Sequence, residues 1–223
     1  MSKLATRLAS MAQPLILPFT LAALAAPVVT TTPAMAQAQP QLQTMRQGVN
    51  HIRAGWEHIS YEVRGSSTQT RQLDALATEA AALVARFPNQ AEPLLWQGIV
   101  VSEQANRANI LHQLGLARRA YGILNRAYGI SPDAANGAVA MSLAVLLYKV
   151  PGSPIGFGDD VRAGQLLRRA LQLDPNGLDA NYFYGDYLHD QGDDVGAARA
   201  LRHALQAPHD ASRPVWDAGR RRE

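Results

Sequence analysis

The sequence predicts an all-α protein, a solenoid of stacked helical hairpins with about eight helices in four pairs. One spacing, Ala-x3-Leu-x2-Ala, occurs three times: Ala120, Leu124, Ala127; Ala163, Leu167, Ala170; and Ala197, Leu201, Ala204. A proline follows each copy within four or five residues, at Pro132, Pro175 and Pro208. Small residues at that spacing share one helix face and let a neighbouring helix come close, and the proline ends the helix. The last two copies lie 34 residues apart, the length of one helix–turn–helix unit in a repeat array. No segment alternates with period two for long enough to form a strand.

The first residues stand apart from this pattern. Lys3 and Arg7 make a basic start with no acidic residue before Ala36, and an apolar run follows from about Leu15 to Val29. Ala34-Met35-Ala36 reads as a cleavage site, with Ala36-Gln37-Ala38 as the alternative. That is the pattern of a secretory signal peptide. Pro14, Pro18 and Pro27 interrupt the run and leave too short an apolar stretch to span a membrane well. The expected organisation is a signal peptide over 1–36, a mobile leader over 37–41, the solenoid over 42–206 and a tail over 207–223. The mature chain is then periplasmic, with no transmembrane segment left. Its 187 residues suffice for one continuous core. Loss of Lys3 and Arg7 lowers the net charge from +3 to +1, so nothing calls for a nucleic-acid partner. The absence of cysteine excludes disulfides, thiolate metal sites and cysteine nucleophiles. The closing triplet Arg220-Arg221-Arg222 reads as a solvated tail.

The helices follow in order. Met45, Val49, Ile52, Trp56, Ile59 and Val63 recur at three and four and predict a first helix over about 42–63, ended by Gly65. Leu73, Leu76, Ala80, Leu83 and Val84 predict a second over about 69–87, ended by Pro88. A third starts near Ala91 and places Gly98 ten residues after Pro88, as Gly185 lies ten after Pro175. Glycine there lets the first helix of a pair pack tightly on the second, although an interior glycine costs about 1 kcal/mol in isolation. Further helices are expected over about 115–130, 135–149, 160–173, 178–190 and 195–206.

Asn181-Tyr182-Phe183-Tyr184-Gly185-Asp186-Tyr187-Leu188, then Gln191-Gly192-Asp193 and Ala197, resembles a tetratricopeptide repeat. The stretch from about Ala91 to Arg222 is similar to a group of bacterial exported tetratricopeptide proteins. Members carry a Val-Pro-Gly-x-Pro-Ile-Gly-Phe-Gly-Asp segment, an Asn-Tyr-Phe-Tyr-Gly segment and a closing Arg-Pro-x-x-Asp-Ala-Gly-Arg-Arg. They stand here at 150–159, 181–185 and 213–221. Some relatives are described as the T component of TRAP-type solute transporters. Ala144 replaces the family's glycine, His209 replaces a proline shifted to Pro208, and no cysteine supplies the lipid anchor common among T components. The resemblance implies a tetratricopeptide-like solenoid that binds other proteins, with an oligomeric transport subunit as the alternative.

No residue pattern points to catalysis. The six histidines form no H-x-x-x-H or H-E-x-x-H spacing, so no metal site is expected. Gly156-Phe157-Gly158 precedes a helix, but no strand comes before it, and Asp159 and Asp160 would repel a phosphate there. Asp159 reads as the N-cap instead, as do Asp193 and Asp194 for the last helix. Asp186 and Asp190, one turn apart with His189 between, read as a partner-facing surface rather than an acid–base pair. No cofactor is expected.

In stacked hairpins the first helices line the concave face. That face should carry Tyr182, Asp186, His189 and Asp190 from the last pair, Met141, Val145, Tyr148 and Lys149 from the third, and Leu95, Ile99, Ser102 and Glu103 from the second. The tyrosines either recognise a protein or peptide partner or fill the core between repeats. Two insertions, near 106–116 and 150–158, lie between the helices of their pairs. They should meet as one apolar ledge of Ile110, Leu111, Leu114, Leu116, Val150, Pro151, Ile155 and Phe157 beside Tyr148 and Lys149. The ledge is either a cap over the core or a surface for a partner or for self-association. The candidate binding residues are therefore Tyr148, Lys149, Phe157, Tyr182, Asp186, His189 and Asp190.

Overall fold

The computed structural model describes the backbone of residues 33–223 and the side chains from residue 39 onward. The expected signal peptide therefore lies almost wholly outside the described residues. Nine α-helices and no strand occur among the described residues. The hairpins are α1 (Pro33–Tyr61) with α2 (Ser66–Arg86), α3 (Ala91–Arg107) with α4 (Ile110–Ile130), α5 (Ala138–Lys149) with α6 (Asp160–Leu173), and α7 (Leu178–Asp190) with α8 (Asp194–Leu205). A ninth helix, α9 (Pro214–Arg220), follows. Each helix packs on its hairpin partner and on the next hairpin, and the first helices also meet one another, α1 on α3, α3 on α5 and α5 on α7. Those four form the inner layer.

The repeated Ala-Leu-Ala triplets build the seams. Ala120, Leu124, Ala127, Ala163 and Leu167 are fully buried, and Ala170, Ala197 and Ala204 nearly so. Glycines of the first helices receive leucines of the second. A Cβ at Gly98 would meet the Leu124 side chain at 2.5 Å, and one at Gly185 would meet Leu201 at 2.8 Å. The first hairpin uses the same device, Gly48 against Leu83 and Gly55 against Leu76. Backbones thus approach closely where a leucine side chain fills the space that a Cβ would otherwise take.

Four expectations need correction. The leader over 37–41 is helical, because α1 begins at Pro33. The first insertion is not a loop: α3 runs to Arg107 and α4 starts at Ile110, where Asn109 caps it by accepting from the His112 N–H. α5 starts three residues late, because Ala135, Asn136 and Gly137 all take positive φ in a turn. The fourth is the tail over 207–223, which contains α9. Pro214 opens that helix with its preset φ, and Trp216 and Arg220 are buried at 7% and 8% exposure. Two of the three terminal arginines are held rather than solvated, since Arg220 pairs with Asp179 and Arg221 with Asp217, while Arg222 is exposed.

Candidate functional site

The inner helices α1, α3, α5 and α7 line an open cavity of about 990 Å³. Trp56, Ser60 and Tyr61 line it from α1, Ile99, Ser102, Glu103 and Arg107 from α3, Val145 and Lys149 from α5, and Tyr182, Phe183 and Asp186 from α7. Arg220 and Glu223 close one side. Ile110 and Leu114 from the start of α4, with Val150, Pro151 and Ile155 from the loop after α5, form an apolar rim.

The helical period places Val145 and Lys149 one turn apart on the face that looks into the cavity, and Tyr182 and Asp186 likewise on α7. Between α5 and α7 the structure joins several of the candidate residues. The Tyr148 hydroxyl donates to Asp186 Oδ2 at 2.7 Å. Lys149 Nζ donates to Asp186 at 3.1 Å and to Asp190 at 2.8 Å. Burial, then the bond to Asp186, pushes the Tyr148 phenol far above its ordinary range. Burial works against the Lys149 charge, but the bonds to Asp190 and Asp186 outweigh it and raise its pKa. The cluster therefore keeps Tyr148 neutral and Lys149 charged, and its two carboxylates are already engaged. It joins the two repeats electrostatically.

Tyr148 is buried at 8% exposure behind Asp186, so it belongs to the core and not to the cavity wall. Leu95 and Met141, also expected on the concave face, are buried as well. Tyr182 does line the cavity, with the Arg220 guanidinium 4.7 Å from its ring. His189 points the other way: it is exposed and bonds Asp194 at the start of α8. Asp193 alone caps α8, accepting from the Gly196 N–H at 2.8 Å. Phe157 lies outside the cavity lining, tilted against Tyr121 with ring centres 4.7 Å apart and Arg118 beside it. The ring is half-buried on the core because the loop closes tightly behind it. Asp159 N–H donates to Leu147 O, and a Cβ on Gly158 would overlap the Val150 carbonyl. The glycines of Gly156-Phe157-Gly158 thus serve loop closure, and Asp159 caps α6.

The two insertions border the same cavity, Ile110 and Leu114 from one and Val150, Pro151 and Ile155 from the other. Arg118 Nη2 reaches Ile155 O at 3.4 Å, and Ile110 and Ile155 both edge the cavity at 84% and 68% exposure. The sequence reading missed the α1 wall, Arg107 and the C-terminal residues. The only signal for the last was Pro214 followed by Trp216. Trp56 Nε1, Ser60 Oγ and Arg107 Nε are buried without a hydrogen-bond partner among the described residues. No group of three or more histidine, aspartate or glutamate side chains placed to hold a metal ion occurs among the described residues. No helix there is long and apolar enough to cross a membrane.

Hairpins of this length, stacked with their first helices inward, define a helical-repeat protein of the tetratricopeptide fold. The crystal structure of TTC0263, a thermophilic TPR protein in Thermus thermophilus, has that fold: it superposes with a TM-score of 0.54 at 14% identity, over 81% of this chain and 98% of that one. MamA MSR-1 C2 is similar over 75% of this chain and 96% of that one, at 15% identity and a TM-score of 0.44. No protein-family model and no curated protein matches the sequence.

Proposed function

We propose that this protein is an exported, non-catalytic scaffold that holds a segment of another protein in its concave cavity. One observation carries the reading: the four inner helices converge on a cavity of about 990 Å³ whose walls mix apolar, aromatic and charged side chains. Such a mixed wall suits a peptide, which brings side chains of both kinds and a backbone rich in acceptors. The exposed Ile110, Leu111 and Ile155 give an incoming chain an apolar landing at the rim. Export to the periplasm follows from the signal-peptide pattern of residues 1–36.

The test is capture from a periplasmic extract by the full mature chain, compared with Val145→Asp, which puts a charge on the half-buried cavity wall. Loss of the captured protein with helicity retained supports the cavity. Equal capture by both refutes it. An accessory subunit of a TRAP-type transport system is the second reading, favoured by the three family-like segments. Each has a structural place: 150–159 forms the rim loop, Asn181 ties α7 to Pro175 O at 2.9 Å, and 213–221 forms α9. A protein that stays monomeric at micromolar concentration counts against that reading.

A further inference from the structure

The two ends of the solenoid meet at one small joint. α1 packs on α2, on α3 and, from the far end of the chain, on α9. On the C-terminal side polar bonds join α9 to the last hairpin and the chain just after it. Arg220 pairs with Asp179 at 2.7 Å, and Arg221 donates to Leu205 O at 3.0 Å and to Ala207 O at 2.7 Å. On the α1 side Arg213 donates to Glu57 at 2.6 Å, Trp216 sits against Trp56 and Tyr61, and Gly219 lies against the Tyr61 ring. Glu57 and Arg213 are 156 residues apart in sequence, and both are largely buried. The fit is incomplete, because the indole N–H groups of Trp56 and Trp216 are both buried without an acceptor among the described residues. A seven-residue helix has no stability of its own. It takes its place from the two surfaces it bridges, the last hairpin and α1.

We propose that the α1–α9 seam is a separable joint with two outlets: made within one chain it closes the solenoid around the cavity, and made between chains it links two copies, the α9 of each gripping the α1 of the other. The two faces are complementary in charge and shape, arginine and tryptophan on α9 against glutamate and an aromatic slot on α1. They are also borne on opposite ends of one chain, so a second copy presents the same pair of surfaces. Closure within the chain wins at low concentration because the effective concentration of tethered ends is high. The proposal stands on the α9 contacts alone, so its failure leaves the cavity reading untouched, and failure of that reading leaves this one standing.

The Glu57–Arg213 pair makes the test selective. Glu57→Arg alone and Arg213→Glu alone each set like charges across the seam and block closure within the chain. Mixed in equal amounts they restore opposite charges at both seams between unlike chains. Light scattering should find each variant monomeric when alone and the mixture at twice that mass. The double variant Glu57→Arg/Arg213→Glu should recover the monomer and its thermal midpoint. A mixture that stays monomeric while the double variant is folded overturns the proposal. Should neither single variant fold, wild-type chains carrying donor and acceptor dyes decide it. Energy transfer that grows with concentration and is lost on adding excess undyed chain supports the joint, and no transfer at millimolar concentration overturns it.

Discussion

Asp186 is the residue on which two repeats are hinged electrically. It accepts from Tyr148 on its buried side and from Lys149 on its exposed side. Replacing it by Asn removes the charge that holds Lys149 and leaves the buried phenol with a weaker acceptor. Asp186→Asn should cost about 1–3 kcal/mol, read as a lower urea midpoint with an unchanged slope. A second carboxylate sets a pH dependence. Burial opposes ionisation of Asp217, but bonds from Arg221, from His209 and from the Asp210 N–H hold it at about 2, below its ordinary 3.8. A depressed carboxylate stabilises the folded state above its unfolded pKa, and that contribution is lost as pH falls through the folded value. Stability should therefore decline between pH 3.8 and about 2. Asp217→Asn should flatten that part of the profile in urea titrations at fixed pH.

Within the hairpins, the glycine–leucine seam sets the tolerance of each pair. A methyl group at Gly98 must share space with Leu124, which is fully buried. Gly98→Ala should overpack the α3–α4 seam and cost about 1–3 kcal/mol, although alanine is the better helix former by about 1 kcal/mol. A neutral result by thermal denaturation would mean the seam can relax. The rim separates by the same criterion of burial. Phe157 packs on Tyr121 and the core, so Phe157→Ser should destabilise the α5–α6 hairpin. Ile110 and Ile155 are exposed, so Ile110→Ser with Ile155→Ser should shift stability by less than about 0.5 kcal/mol while lowering capture of the partner. The ledge is thus divided: its phenylalanine is core and its isoleucines are surface.

For the whole molecule, α9 changes an open stack into a stack whose ends are joined. Trp216 centres a separate small core with Leu178, Ala204 and Ala207, flanked by Trp56, Tyr61 and Tyr182. Trp216→Ala should cost about 3 kcal/mol, and hydrogen exchange should quicken in α1 and α8 together while α4 and α5 keep their protection. Loss confined to α9 would mean the ends are not coupled. The exported form should begin at Gln37, or at Gln39 by the alternative site, and intact-mass measurement on secreted protein decides this; a mass that includes Met1 contradicts export.

The eight helices of the four hairpins and their pairing were legible in the sequence because they are local. Ala120, Leu124, Ala127 and their later copies repeat at helical spacing, and Pro132, Pro175 and Pro208 punctuate them. The caps Asp159 and Asp193 were equally legible, since a cap is read within four residues. Depth was not. Tyr148 and Tyr182 look alike in a periodic pattern, and only the packing of α5 on α7 buries one and leaves the other on the cavity wall. Nor was closure legible: Glu57 and Arg213 carry no mark of each other across 156 residues, and a terminal run of arginines reads as solvated until partners such as Asp179 appear beside it. Local spacing determines which helices form and pair; the superhelical path of the stack alone decides how deep each face lies and which distant surfaces come to touch.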